Sequence, residues 1–256
     1  MGSFNGVLFD DSVWEILKDN KGNPHIHLKS DAVPENGDIR NLDVPPFGNF
    51  RYIFKDLPIT RGPKAFPSGS NVNGQKIAVD VSYAFSGCDQ LVEGSSVPNT
   101  VEHQDGEYEG CKSLKDAKNI SEQCTSMSAY AANCSSLESI ARIPDATKNA
   151  ESALEGCISL TEFSGGKNIE NAKCMCAGCS SMRVISPELN PNAIMDDLAI
   201  GTQIDMMAIV AEKDKEDKKK TRDAIRMSLD REAMSLAQDS EDYNIDDPAL
   251  AVPGTV

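Results

Sequence analysis

A cysteine returns through the middle of this chain at near-constant spacing. Cys88, Cys111, Cys134 and Cys157 stand 23 residues apart, and Cys179 follows after 22. Leu91, Leu114, Leu137, Leu160 and Met182 each lie three residues later. Gly87, Gly110, Gly156 and Gly178 precede four of the cysteines and Asn133 the fifth, while Phe85, Tyr108, Ala131, Leu154 and Cys176 stand three before them. Three past each Leu or Met come Gly94, Ala117, Ile140, Phe163 and Ile185. A period in the twenties with fixed apolar positions implies one coil of a solenoid per repeat, because a single coil cannot bury its own apolar edge and stacking supplies the core.

The wording of the repeats, AFSGCDQL, YEGCKSL, AANCSSLESI, ALEGCISLTEF and CAGCSSMRVI, resembles the BspA-type (Treponema pallidum-type) leucine-rich repeat family. That resemblance implies a mainly β fold: a short-stranded solenoid of about five coils, each about 4.8 Å from the next. By family it also implies adhesion and surface recognition, in bacterial surface proteins and in bacteriophage proteins. Two segments depart from the pattern. Ser95 to Gly106 is polar without a clean apolar rhythm, and Gly165-Gly166 stands where a hydrophobic strand residue is expected.

The formal charge of −15 sets the surface field against DNA, RNA and anionic membranes, so neither nucleic acid nor membrane is an expected partner. The start, MGSFNGVLFDDSV, lacks a basic region followed by a long apolar one, and no stretch approaches 18 uninterrupted apolar residues. The expectation is a chain neither secreted by an ordinary signal nor membrane-spanning. Gly2 is not read as a myristoylation start, since Gly6 stands where Ser or Thr is required. Of eight cysteines, five occupy the repeat position and Cys176 an apolar one, leaving Cys124 and Cys174 off the pattern. Buried thiols pack as small hydrophobes, and the expectation is reduced, packed cysteines. Cys174-x-Cys176-x-x-Cys179 has the look of part of a metal site, but no histidine lies near and the repeat already accounts for two of the sulfurs. No metal and no cofactor is expected.

Before the repeats, Val13 to Leu17, a turn at Asn20 to Asn23 and His25 to Leu28 read as a β-hairpin. This Trp-containing hairpin resembles those near the start of many phage virion proteins. Its expected alternation points Ile26 and Leu28 inward and His25 and His27 to solvent, which disfavours a metal-binding reading of the two histidines. Gly69 to Lys76 has the outline of a phosphate-binding loop but fails, because Gln75 stands where Lys must follow the second glycine and Ile77 replaces the hydroxyl residue. It is read as a flexible loop, and Lys76 to Val81 as a strand capping the first coil. His103 falls in the polar segment, and no set of acid, base and nucleophile converges, so the chain is not expected to be an enzyme.

After Pro187 to Asn192, composition changes. Asp205 to Gln238 reads as helix, uninterrupted by Pro or Gly, with Ile225, Leu229, Ala233 and Leu236 on one face. This stripe is a candidate partner-binding face, with packing on the chain's own body as the competing reading. The expected organisation is an N-terminal β-rich attachment region (1–78), the repeat solenoid (79–190), a helical cap or extension (191–240) and an extended tail (241–256). The expected function is a non-enzymatic structural or interaction protein whose partners are other proteins, virion proteins and copies of itself among them, or a host surface glycan or protein. A bacteriophage virion component (head fibre, capsid decoration or tail accessory protein) is the first expectation. A bacterial cell-surface adhesin or an intracellular scaffold is the alternative.

Overall fold

The structure, a computed structural model, describes residues 1–68, 71–72, 75–76, 79–203 and 222–231. Strands β1 (Gly2–Phe4) and β2 (Val7–Phe9) pair antiparallel across Asn5-Gly6, whose φ angles of 50° and 76° suit a tight hairpin turn. A second hairpin joins β3 (Trp14–Lys18) to β4 (Pro24–Leu28), with Trp14 opposite Leu28 and Leu17 opposite His25. Its turn is organised by Asp19, whose carboxylate accepts the N–H groups of Lys21 at 2.9 Å and Asn23 at 2.8 Å and the Asn23 amide at 3.0 Å. Trp14, Ile26 and Leu28 are buried. His25 is buried too, which corrects the expected alternation: its ring packs on Tyr52 at 5.1 Å. His27 Nε2 bonds the Lys55 carbonyl at 3.1 Å, so the hairpin has chain on both faces.

The hairpin leads into stacked units of one shape. A parallel ladder of single bridges runs Asn49, Asp80, His103, Ser126, Asn149, Asn171, Ile194, each residue eight before the repeat cysteine or its equivalent. Between rungs, the N–H groups of Tyr83, Phe85 and Gly87 donate to the carbonyls of Asp105, Glu107 and Glu109 in the next unit, at 2.7 to 2.9 Å. The intervening N–H groups of Ala84, Ser86 and Cys88 close short turns within their own unit. Every backbone donor of the segment is thereby used. This path needs a left-handed residue immediately before the cysteine. Gly87, Gly110, Gly156 and Gly178 supply it, as does Asn133 at φ 63°, the side chain that tolerates this region best after glycine.

On the opposite edge β7 (Asp116–Ala117) pairs parallel with β8 (Ser139–Ile140). The other contacts there are again single bridges, such as Ile143 with Gly165 and Glu162 with Val184. The fold is thus mainly β in short pieces. A 3₁₀ turn at Ser30–Ala32 and the helix α1 at 222–231 are the helical parts of the described residues. β5 (Asn71–Val72) and β6 (Gln75–Lys76) pair antiparallel. Lys76 therefore belongs to this small ladder, while Asp80 bridges Asn49 and His103. The rest of the segment read as a phosphate-loop look-alike and capping strand (69–70, 73–74 and 77–78) lies outside the described residues, as do helix positions 205–221 and 232–238 and the tail.

One apolar cluster runs from Phe4 to Ile225. Along it, rings stack from unit to unit, Phe54 on Phe85 at 5.1 Å, Phe85 on Tyr108 at 5.7 Å and Tyr108 edge-on to Tyr130 at 5.5 Å. Ala131, Leu154 and Cys176 continue the apolar column. The polar segment from Ser95 to Gly106 contributes Val101, fully buried, and the buried side chains of Ser95 and Gln104.

Candidate interaction surface

The repeat motif explains itself residue by residue. Cys88, Cys111, Cys134, Cys157 and Cys179 are fully buried, as are Leu91, Leu137, Leu160 and Met182, with Leu114 1% exposed. Each thiol donates to a carbonyl one unit back: Cys88 to Phe54 at 3.0 Å, Cys111 to Phe85 at 3.2 Å, Cys134 to Tyr108 at 3.0 Å, Cys157 to Ala131 at 3.1 Å and Cys179 to Leu154 at 2.9 Å. The Phe85 carbonyl already accepts the Cys88 N–H, so the Cys111 thiol fills its second lone pair. Cysteine suits this position because it packs as a hydrophobe and still carries a weak donor.

Burial pushes the Cys88, Cys124 and Cys134 thiols up to about 12 and that of Cys157 higher. Reactive thiolate is scarce at such sites. Cys174 is half-exposed, at a left-handed position five before Cys179. A maleimide added to native protein will modify Cys174 within the time that the five repeat cysteines stay unmodified, and urea will expose all of them. Rapid labelling of Cys111 or Cys134 in native protein, read by peptide mass spectrometry, would contradict this packing. The Cys174, Cys176 and Cys179 run joins no group of three or more His, Cys, Asp or Glu side chains placed to hold a metal, among the described residues.

A buried polar cluster interrupts the core at the second cysteine repeat. Glu107 sits in a column otherwise filled by Ile53, Ala84, Tyr130, Ala153, Met175 and Leu198, and it is fully buried. The Gln104 amide donates to Glu107 Oε2 at 2.6 Å and to the Asn119 carbonyl at 2.9 Å, and its oxygen accepts the Ser121 N–H at 2.7 Å. Burial pushes the Glu107 carboxyl up to about 8, against smaller opposing effects of Gln104 and Tyr108. Glu107 Oε1 and the Tyr130 hydroxyl are both buried without a hydrogen-bond partner. Gln104 lies in the polar segment from Ser95 to Gly106 and Glu107 just beyond it, and only the register of Glu107 against the cysteine repeat marks it as core.

Along the outer edge of the turns, Asp105, Glu109, Glu151 and Glu155 are half-exposed and recur at the positions six and two before the cysteine. Asp105 is fixed by Ser126 Oγ at 2.6 Å and the Ser128 N–H at 2.8 Å, and Glu151 by the Asn171 amide at 3.1 Å. These acids form two rigid couples with Ser128 and Ala132 of the intervening repeat between them, because the backbone that carries them is tied to the next unit at every second residue. The candidate helix face divides. Ile225 is fully buried and Leu229 half-buried against the core, Arg231 pairs with Asp197 at 2.9 Å, and Ala233 and Leu236 lie outside the described residues. No described helix is long and apolar enough to cross a membrane.

Residues 73–183 match the family described as BspA type leucine rich repeat region, in 6 copies. A crystal structure of a T. pallidum leucine rich repeat protein is similar over 70% of this chain and 81% of that one, at 16% identity and a TM-score of 0.39. No curated protein matches the chain. The likeness of the hairpin to phage virion proteins has no counterpart in these matches. The family match spans all five cysteine repeats whose thiols, left-handed glycines and leucines are described above, and residues 73–183 of this protein are a BspA-type leucine-rich repeat region.

Proposed function

We propose that this protein is a non-enzymatic display module, in which the repeats at Cys88, Cys111, Cys134, Cys157 and Cys179 are coils of one solenoid and its turn edge meets a protein partner. Leucine-rich repeats serve protein interaction in general, and repeat stacks bind through extended surfaces of fixed shape. The observation that carries the reading is the pair of acidic couples Asp105/Glu109 and Glu151/Glu155, set two repeats apart on either side of Ser128 and Ala132 and held there by backbone bonds between units. A partner with basic side chains at matching intervals fits such a pair. On this reading residues 1–78 attach the module, 191–240 close its far end, and Ile225 and Leu229 serve the chain's own core. Placement in a bacteriophage virion is the finer proposal, supported by the Trp14–Leu28 hairpin; a cell-surface adhesin is its alternative.

Chemical crosslinking in the source cells or particles will capture a partner at the acidic edge, and the Glu109→Lys/Glu155→Lys double variant will lose it with its circular dichroism unchanged. Equal capture by the variant would remove the edge from the reading. Purified particles holding the chain in a fixed ratio to their shell protein would place it in a virion, and its absence from them would end that placement.

A further inference from the structure

The far end of the β3–β4 hairpin and the first stacked unit enclose a cleft of about 560 Å³. Small-molecule sites span roughly 300–1,000 Å³. Its charge is opposite to that of the chain. Lys18, Lys21, Arg51 and Lys55 line it against the single carboxylate of Asp19, in a protein of net charge −15. Asp19 faces its own turn, where three N–H bonds occupy it. Outside the lining, Asp80 pairs with Arg51 at 3.2 Å and Asp56 with Lys55 at 2.9 Å. Lys18 and Lys21 have no ion pair among the described residues, so the hairpin end carries cations without partners.

The inner wall is built rigidly. The Arg51 guanidinium lies 5.3 Å from the Tyr52 ring centre and 5.6 Å from that of Tyr83, and the two rings stack at 5.2 Å. His25, packed on the other side of Tyr52, has a buried Nδ1 without a hydrogen-bond partner. Burial holds the His25 pKa below its ordinary value, with the neighbouring His27 adding to the effect. Tyr52 and Tyr83 stand at φ 61° and 58°, a region that costs a bulky side chain about 1–2 kcal/mol, at a position that later units fill with Gly106, Ala129 and Ser152. The repeat backbone sets that conformation in every unit, Cys174 and Asp197 included. In the first two units it carries tyrosines, and their rings make the surface on which Arg51 lies. The Asn49 amide oxygen takes the Arg51 N–H at 3.0 Å, which turns its NH₂ group into a further donor at the cleft.

We propose that this cleft binds a small ligand through an oxyanion, a carboxylate or a phosphate, with Arg51 and Lys21 as its principal contacts. Arg51 offers a planar fork backed by aromatic rings, and Lys21 an unpaired point charge. The overall field limits the ligand's size and charge. A polyanion would meet the acidic turn edge, whereas a compact ion with one or two charges senses what lies within the Debye length of about 8 Å. The site goes beyond the display reading, since it lies at the hairpin and uses neither of the acidic couples.

Calorimetric titration of the full chain with inorganic phosphate, glucuronate and glucose tests it. Phosphate and glucuronate binding alike, with glucose silent, supports the site with a free oxyanion as sufficient ligand. Glucuronate alone supports it with an acidic sugar as the source. In either case Lys18→Gln/Lys21→Gln will weaken binding about tenfold, a loss of about 1.4 kcal/mol, and Arg51→Lys will weaken it while keeping the charge. The exposed lysine pair leaves the core untouched, so a fold defect in the Arg51 variant does not blur the result. Silence from both anions, equal binding of glucose, or unchanged affinity in the lysine variant would overturn the proposal. Failure here leaves the crosslinking result at Glu109 and Glu155 standing, and the reverse holds as well.

Discussion

Replacing Glu107 by Gln will stabilise this protein by a few kcal/mol at pH 8 and change little at pH 4. The folded carboxyl titrates near 8 against an ordinary value of 4.5, because burial penalises its charged form. A raised folded pKa means the folded state holds a proton that the unfolded chain has released. Stability is therefore fully present below about pH 4.5 and falls, by about 1.4 kcal/mol per unit, as pH rises towards 8. Above that the cost is constant. The groups facing Glu107 are Gln104, Tyr108 and Tyr130, with the thiols of Cys111 and Cys124 near them, and none of these supplies a positive charge to the carboxylate. Glutamine keeps an acceptor for the Gln104 amide and removes the titration. Urea denaturation at a series of pH values will show a falling slope in the natural protein that is flattened in Glu107→Gln. Parallel curves for the two proteins would show that Glu107 does not stay protonated in the fold.

Gly165→Ala will lower stability by about 3 kcal/mol or more, on the order of 10 °C in melting temperature. A Cβ at this position would lie 2.2 Å from the Ile143 carbonyl oxygen and 2.9 Å from its nitrogen, both backbone atoms of the preceding unit. Neither can move without parting the Ile143–Gly165 bridge, and Ser186 Oγ holds the Gly165 carbonyl from the other side at 2.7 Å. Gly22→Ala provides the comparison. Its φ of 83° is close to the 89° of Gly165, yet nothing lies within 4 Å of the added carbon, so its effect will be the conformational cost alone, about 1 kcal/mol. Similar melting temperatures for the two variants would mean the units are not packed as closely at Gly165 as described.

These two positions also show where reading the sequence reached its limit. Gly165 breaks the hydrophobic pattern, and pattern alone treats it as a defect; the reason for it, a neighbouring backbone at contact distance, exists only once the units stack. Glu107, just past the polar segment that ends at Gly106, goes unmarked, since a carboxylate in an apolar column contradicts the rule by which core positions are recognised. The cysteine period, by contrast, is legible because each element of the motif has a local cause: a left-handed backbone before the cysteine, a thiol that packs and donates, a leucine three residues on. The same shape upstream, where Phe54 and Leu57 take the places of Phe85 and Cys88, escapes notice because Leu57 replaces the marker residue and a longer connection follows. His25 is misassigned for a related reason. Strand alternation assumes one wet face, and Tyr52 covers it.

Along the turn row that begins at Tyr83, Phe85 and Gly87 the bonds between units run in one sense, each turn donating N–H groups forward, while at the rungs beside it N–H groups such as those of Thr125, Lys148 and Glu170 donate back to the preceding unit. A layer built this way has unlike upper and lower surfaces, each complementary to the opposite surface of an identical layer. Duplicating a 23-residue segment, such as 111–133, would insert one more layer that satisfies both neighbours while leaving the two terminal closures unaltered. Chain length is thereby a variable that recombination can change in whole units, and the reach of the molecule becomes adjustable in steps of about 4.8 Å without redesign of its ends.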